Sequence, residues 1–256
     1  MTITIKSNPD GVSGAIQVNG NDAFAFGNGA QFSFRNKIIN GAFAINQRAY
    51  VSGAATSAGQ YTLDRWKVSG TGGITFSTVN NKTTVTIPAG QTLQQVIEGL
   101  NLATGTYVLS WEGTAQGRIG GGSYGASGTV TASITGGTNT TIEFNTGTVA
   151  NVQLEAGSIA TLFEHRPIGT ELALCQRYYE VVSASAQGAA STNMATTAKF
   201  VCAKRATPTV ARTGNWNTAN EAGTLISTVT ATEFLAYNPT TNALAVGGVF
   251  TASAEL

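Results

Sequence analysis

Residues 151–180 read NVQLEAGSIATLFEHRPIGTELALCQRYYE, and this stretch decides how the chain is organised. It holds the only histidine, His165, together with Cys175, Pro167, Arg166, Arg177 and the Tyr178-Tyr179 pair. Such a concentration marks either an active site or the seam between two domains. The local patterns favour the seam. ANVQLEAGS alternates as a strand, and ATLFEHRP leads away from it without periodicity. GTELALCQRYYE offers Thr170 as an N-cap and Glu171 in a first turn, with Leu172, Cys175, Tyr178, Tyr179 and Val182 at helical spacing. A short connector helix is therefore expected over 168–182. His165 lacks a second histidine anywhere in the chain, which makes it a weak metal ligand or catalytic base.

On the N-terminal side of this seam, residues 37–167 read as a β-sandwich of jelly-roll type. Seven alternating segments, GITFSTVN, TTVTIPA, LQQVIEG, GTYVLSWEGTA, GTVTASIT, NTTIEFN and ANVQLEAG, are separated by Gly/Asn/Thr turns. YTLDRWKVSG adds Trp66, a core candidate, with Asp64 and Arg65 as its hydrogen-bonding neighbours where the chain enters the sandwich. The glycine-rich AQGRIGGGSYGASG, residues 115–128, reads as an exposed loop carrying Arg118 and Tyr124.

Residues 1–36 form too small an element to be stable alone. TITIK and AIQVNG are strands around a DGVSG turn, and DAFAFGNGAQFSF sets Phe24, Phe26, Phe32 and Phe34 at period two. Phenylalanines on so thin a ribbon need a partner, either copies of the ribbon or the domain that follows. On the other side of the seam, residues 183–256 read as a small β domain of five or six strands, with Pro208 marking a strand start. The whole is all-β: ribbon, sandwich, short helix and C-terminal β domain.

Charge and composition exclude several functions. Charged residues are 11% of the 256, well below the roughly 25% of ordinary globular chains, while 42% are hydrophobic. The net charge of +1 is spread evenly, with no Lys/Arg cluster to neutralise a phosphate backbone, so no nucleic-acid binding is expected. No apolar run reaches 18 residues, which argues against membrane insertion, and MTITIKSNPDGVSG lacks the basic and apolar regions of a signal peptide. Cys175 and Cys202 read as two buried free thiols rather than a disulfide framework or metal site. No cofactor motif is present: GRIGGGSYG lacks the strand-to-helix context and Lys-Ser/Thr end of a phosphate loop.

The segments NKIINGAFAINQR, YTLDRW, the 151–180 stretch, KRATPTV and FTASAEL together resemble tailed-bacteriophage tail-fibre and receptor-binding proteins. In that family a sandwich like a carbohydrate-binding module is followed by a Leu-Cys-Gln-Arg-Tyr-Tyr connector and a small β domain. SGAIQVNGNDAFAFG is similar to segments that open phage fibre proteins, where attachment to the virion occurs. Leu162 stands where the family pattern carries proline. The resemblance implies a virion tail protein assembled in the host cytoplasm. It would be a homo-oligomer, a trimer by the family pattern, held to other tail or baseplate proteins through residues 1–36, with Phe24, Phe26, Phe32 and Phe34 in that contact. It implies binding to a host surface polysaccharide and no enzymatic activity.

Sugar recognition requires an aromatic face for the C–H side of the ring and polar groups for its hydroxyls. Trp66 and Trp111 sit in core-like patterns. Tyr124 and Arg118 in the glycine-rich loop, and Trp216 between Asn215 and Asn217 in TGNWNTANE, are the glycan-binding candidates. Three alternatives remain. A depolymerase needs paired carboxylates, yet the only aspartates are Asp10, Asp22 and Asp64, none beside a second acid. A purely structural tail, baseplate or head decoration protein would touch no receptor. A carbohydrate-binding module from a cellular enzyme would normally accompany a catalytic domain.

Overall fold

A computed structural model describes residues 34–191, 194–214, 224–239 and 243–256, together with the backbone of three strands before residue 27; side chains at 187–191 and 243–244 lie outside the description. The described fold is all-β, with several antiparallel sheets and one α-helix.

The three early strands, β1 (Ile3–Ser7), β2 (Gly14–Val18) and β3 (Asn21–Phe26), pair antiparallel in chain order. The side chains of Phe24 and Phe26, and all of Phe32, lie outside the described residues. Phe34 departs from the expected period-two strand. It sits in a bend with φ of 54° and is 52% exposed, because the chain is already turning into the sandwich.

The described residues divide into two compact units. The first comprises Met1–Ala42, Ser52–Gln60 and Val68–His165. Its sandwich uses all seven segments anticipated from the alternation. They appear as β5 (Thr75–Val79), β6 (Lys82–Ile87), β7 (Leu93–Ile97), β8 (Gly105–Glu112), β10 (Val130–Ile134), β11 (Thr140–Phe144) and β12 (Gly147–Ala156). Two short strands complete it, β4 (Lys67–Val68) and β9 (Gly117–Ile119). One sheet runs β10-β8-β12-β6-β5 and the other β4-β7-β11-β9. Period-two burial fills the interior with Val85, Ile87, Leu93, Ile97, Leu109, Ile142, Phe144, Val149 and Leu154. Each such side chain contributes about 1.5–3 kcal/mol on leaving water. Trp111 is core, as expected; its ring meets Phe144 edge-on at 5.0 Å and its indole N–H donates to the Ala115 carbonyl at 3.0 Å.

The strap from Asn36 to Gly41 is bound to β12. Asn36 Nδ2 donates to the Val152 carbonyl at 3.0 Å, and its Oδ1 accepts from Ile38 N and Leu154 N. Gln95 closes both ends of Ile39, accepting from its N–H at 2.9 Å and donating to its carbonyl at 2.8 Å. The strap crosses β12 at a bulge between Ala150 and Gln153, and a Cβ on Gly41 would stand 2.3 Å from the Val152 oxygen.

The second unit comprises Phe43–Val51, Tyr61–Lys67 and Arg166–Leu256. Two segments that the sequence reading leaves in the sandwich, 43–51 and 61–67, therefore cluster with the C-terminal region. Helix α1 spans Ile168–Gln176, shorter than expected. Pro167 occupies the N-cap and Thr170 lies within the first turn, so Thr170 is not the cap. Tyr178, Tyr179 and Val182 are not helical. Tyr179 opens β13 (Tyr179–Ser191), where it pairs with Ser253 of β18 (Ala243–Ser253). Among the described residues six strands follow the helix, the other four being β14 (Met194–Lys199), β15 (Thr209–Gly214), β16 (Leu225–Ser227) and β17 (Glu233–Asn238). They form the sheets β13-β18-β15 and β14-β17-β16. Val182, Phe200, Phe234, Val246 and Phe250 share one core, with the Phe234 and Phe250 rings 4.9 Å apart.

A buried polar hub ties the pieces of this unit together. Asp64 accepts from Gln47 N at 3.0 Å and Gln47 Nε2 at 2.6 Å. Arg65, fully buried, pairs with Glu255 and lies 3.6 Å over the Tyr178 ring. Arg48 joins Glu255 at 2.9 Å and stacks 3.7 Å over Tyr179. Trp66 is completely buried against Phe43. Beneath the helix end, Lys204 donates to the Gln176 carbonyl at 2.6 Å and pairs with Glu180, satisfying an orphan carbonyl with a cation. Cys175 is buried but Cys202 only half-buried, and both are free thiols; burial pushes the Cys175 thiol well above its ordinary value.

Candidate functional site

The 115–128 segment is not the open loop that its glycines suggest. Gly117 and Gly125 exchange backbone hydrogen bonds, at 3.1 and 2.9 Å, and close it into a hairpin. Both positions demand glycine for space. A Cβ on Gly117 would come within 2.9 Å of Trp111 and Phe144, and one on Gly125 within 2.9 Å of Val130. Because residues 117 and 125 face each other antiparallel, residues 118 and 124 do too. The Arg118 guanidinium accordingly lies 4.6 Å over the Tyr124 ring.

Strand β9 then pairs with β11 so that Arg118 stands opposite Glu143, while β11 sets Glu143 opposite Gln94 of β7. The three side chains share the sheet face opposite to Ile119, Ile142 and Gln95; Arg118 and Gln94 are half-buried there, and Glu143 between them is only 7% exposed. Glu143 Oε1 accepts from Arg118 Nη2 at 2.5 Å and from the Tyr124 hydroxyl; Oε2 accepts from Gln94 Nε2. The two residues singled out in this hairpin thus converge on one carboxylate that the sequence reading does not select. Burial pushes the Tyr124 phenol up to about 12, reinforced by its bond to Glu143 and that group's charge, against the opposing charge of Arg118.

Beside this row lies a depression of about 360 Å³ lined by Arg118, Gly120, Gly121, Asn139, Thr141 and Glu143. Gly120 and Gly121 adopt φ of 59° and 79° at the hairpin tip, conformations that favour glycine, and a Cβ at either would meet only open space. The rim there carries no side chain. Asn139 Oδ1 is held by the Gly99 N–H at 2.8 Å, which orients the carboxamide. Tyr124 is not part of the lining; its hydroxyl is turned into Glu143, so it positions the Arg118–Glu143 pair.

Chemically, the depression presents hydrogen-bond donors around a single carboxylate, each of whose oxygens already accepts from a neighbour. Trp216, Asn215 and Asn217 lie outside the described residues. His165 is exposed, and its ring meets the Phe163 ring edge-on, 4.8 Å away. Among the described residues no group of three or more His, Cys, Asp or Glu could hold a metal ion, and no helix is long and apolar enough to cross a membrane. No family model, curated protein or solved structure matches the chain.

Proposed function

We propose that this chain is a bacteriophage tail-fibre protein, a non-enzymatic virion component that attaches through its N-terminal ribbon and binds a host surface glycan. The observation that carries the binding role is the convergence of Arg118, Tyr124 and Glu143 beside a polar depression on the outer face of a sheet. A volume of about 360 Å³ suits one or two sugar rings, at the small end of ligand sites. The lining has one carboxylate, where glycoside hydrolysis ordinarily uses two, so recognition without cleavage is the reading that fits it. The family-like segments support the assignment to a fibre differently. Gln47, Arg48, Asp64, Arg65, Tyr178, Tyr179 and Glu255 assemble one structural hub, as expected of residues that keep a fold rather than perform chemistry.

One observation favours a purely structural tail, baseplate or head role instead: three of Glu143's neighbours already donate to it, which is enough to pin the hairpin without a ligand. Cell adsorption of purified protein separates the two. The fibre reading expects saturable adsorption to host cells that is competed by their extracted polysaccharide. A well-folded oligomer that joins particles but does not adsorb would leave the structural role.

A further inference from the structure

Resting on the glycan-binding reading, we infer that the Arg118–Asn139–Thr141 depression takes an uncharged sugar bearing an acetamido group, not an acidic sugar. The argument begins with charge. Arg118 is the only cation in the lining and Glu143 the only anion, 2.5 Å apart, so the lining is electroneutral. A carboxylate drawn to Arg118 would meet the Glu143 charge at nearly the same distance. Attraction and repulsion would largely cancel, while the cost of stripping water from the incoming anion would remain.

The hydrogen-bonding capacity points the same way. Its side-chain and strand acceptors already hold donors: Glu143 receives Arg118, Tyr124 and Gln94, Asn139 Oδ1 receives Gly99 N, and the Thr141 carbonyl receives Gly120 N at 2.8 Å. The side chains of the lining also carry unspent donors. Arg118, whose side chain is 32% exposed, has N–H groups beyond the one spent on Glu143. Asn139 retains its NH₂, and Thr141 its hydroxyl, with no hydrogen-bond partner among the described residues. A neutral, donor-rich recess calls for a strong neutral acceptor. On a sugar that is the amide carbonyl of an acetamido group, placed to accept from Arg118 and Asn139, with a ring hydroxyl meeting Thr141. The bare glycine rim leaves room for the methyl group and the adjoining ring.

The test is calorimetric titration of the full-length protein with N-acetylglucosamine and N-acetylgalactosamine oligosaccharides, glucose oligomers and glucuronate, at low and high salt. Asn139→Asp keeps the oxygen that holds Gly99 but replaces the donor with an acceptor; Thr141→Val removes one hydroxyl at nearly constant shape. The inference expects saturable, salt-insensitive binding of an acetamido oligosaccharide, weakened about tenfold or more by Asn139→Asp, as loss of a hydrogen bond with introduced repulsion requires. Tighter, salt-sensitive binding of glucuronate would overturn it and leave the glycan reading standing. So would binding of host polysaccharide undiminished by either folded variant, which would place the sugar elsewhere. Failure to bind any of these saccharides or the host polysaccharide would overturn both.

Discussion

Tyr124 shows how one side chain serves fold and site together. Burial, the bond its hydroxyl donates to Glu143 and that group's charge hold the phenol protonated up to about 12, against the opposing charge of the Arg118 guanidinium over its ring. An unperturbed tyrosine titrates near 10. The native state therefore binds more protons than the unfolded state between those two values. Stability from this group is fully present below the lower value and is lost as pH rises through the higher one. The difference in phenolate absorbance between wild type and Tyr124→Phe should accordingly appear near pH 12 in the native protein. A difference centred near 10 would mean that the phenol is neither shielded from water nor bonded to Glu143. Gly41 makes a steric case at the same scale. Gly41→Ala drives a methyl into the Val152 carbonyl and should cost about 1–3 kcal/mol, read as a lowered denaturant midpoint. An unchanged midpoint would show that the strap does not lie on β12.

Among the elements, legibility tracked the kind of signal. The seven sandwich segments were readable because each alternates over a half-buried face. Strand β9 is hidden because a three-residue strand that itself begins on a glycine carries no period, and two of the glycines that suggest a loop, Gly117 and Gly125, are there for close packing against Trp111 and Val130. The helix end was misread for a related reason. Leu172, Cys175 and Tyr178 do keep helical spacing, but Tyr178 is held by Arg65 and by Ala254 N, which donates to its carbonyl at 2.7 Å. These are tertiary contacts that no local pattern encodes. Arg118 and Tyr124 were legible as polar and aromatic residues in a glycine-rich stretch, whereas Glu143 was not, because its role depends on register across β7, β11 and β9. At the junction of α1 and β13, Lys204 is fully buried on Glu180. Glu180→Ala should destabilise the second unit by about 3–5 kcal/mol, since it strands a buried cation. The double change Glu180→Met with Lys204→Met should recover most of that loss in the same denaturation experiment. If the single variant behaved as wild type, the pair would not be holding the helix end.

For the whole molecule, the chain divides into two compact units, the first including the early strands and bearing the polar depression, and the proposed function assigns attachment to those early strands. The ribbon's limit can be drawn from hydrogen bonds. Asn36 is bound to Val152 and Leu154 and belongs to the sandwich, so a truncation should stop before Phe34. Removal of residues 1–33 is expected to leave a folded protein that adsorbs to cells but no longer joins particles; normal incorporation would refute the attachment role. The central claim, a fibre that recognises glycan through the Arg118 face, is tested most directly on an array of bacterial surface polysaccharides. Wild type would be compared with Arg118→Gln/Glu143→Gln, a double change that keeps the lining neutral, after both are shown to have the same folded oligomeric mass. The account predicts selective, saturable binding by wild type that is lost in the double variant. Equal binding by both, or none by a correctly assembled wild type, would contradict it.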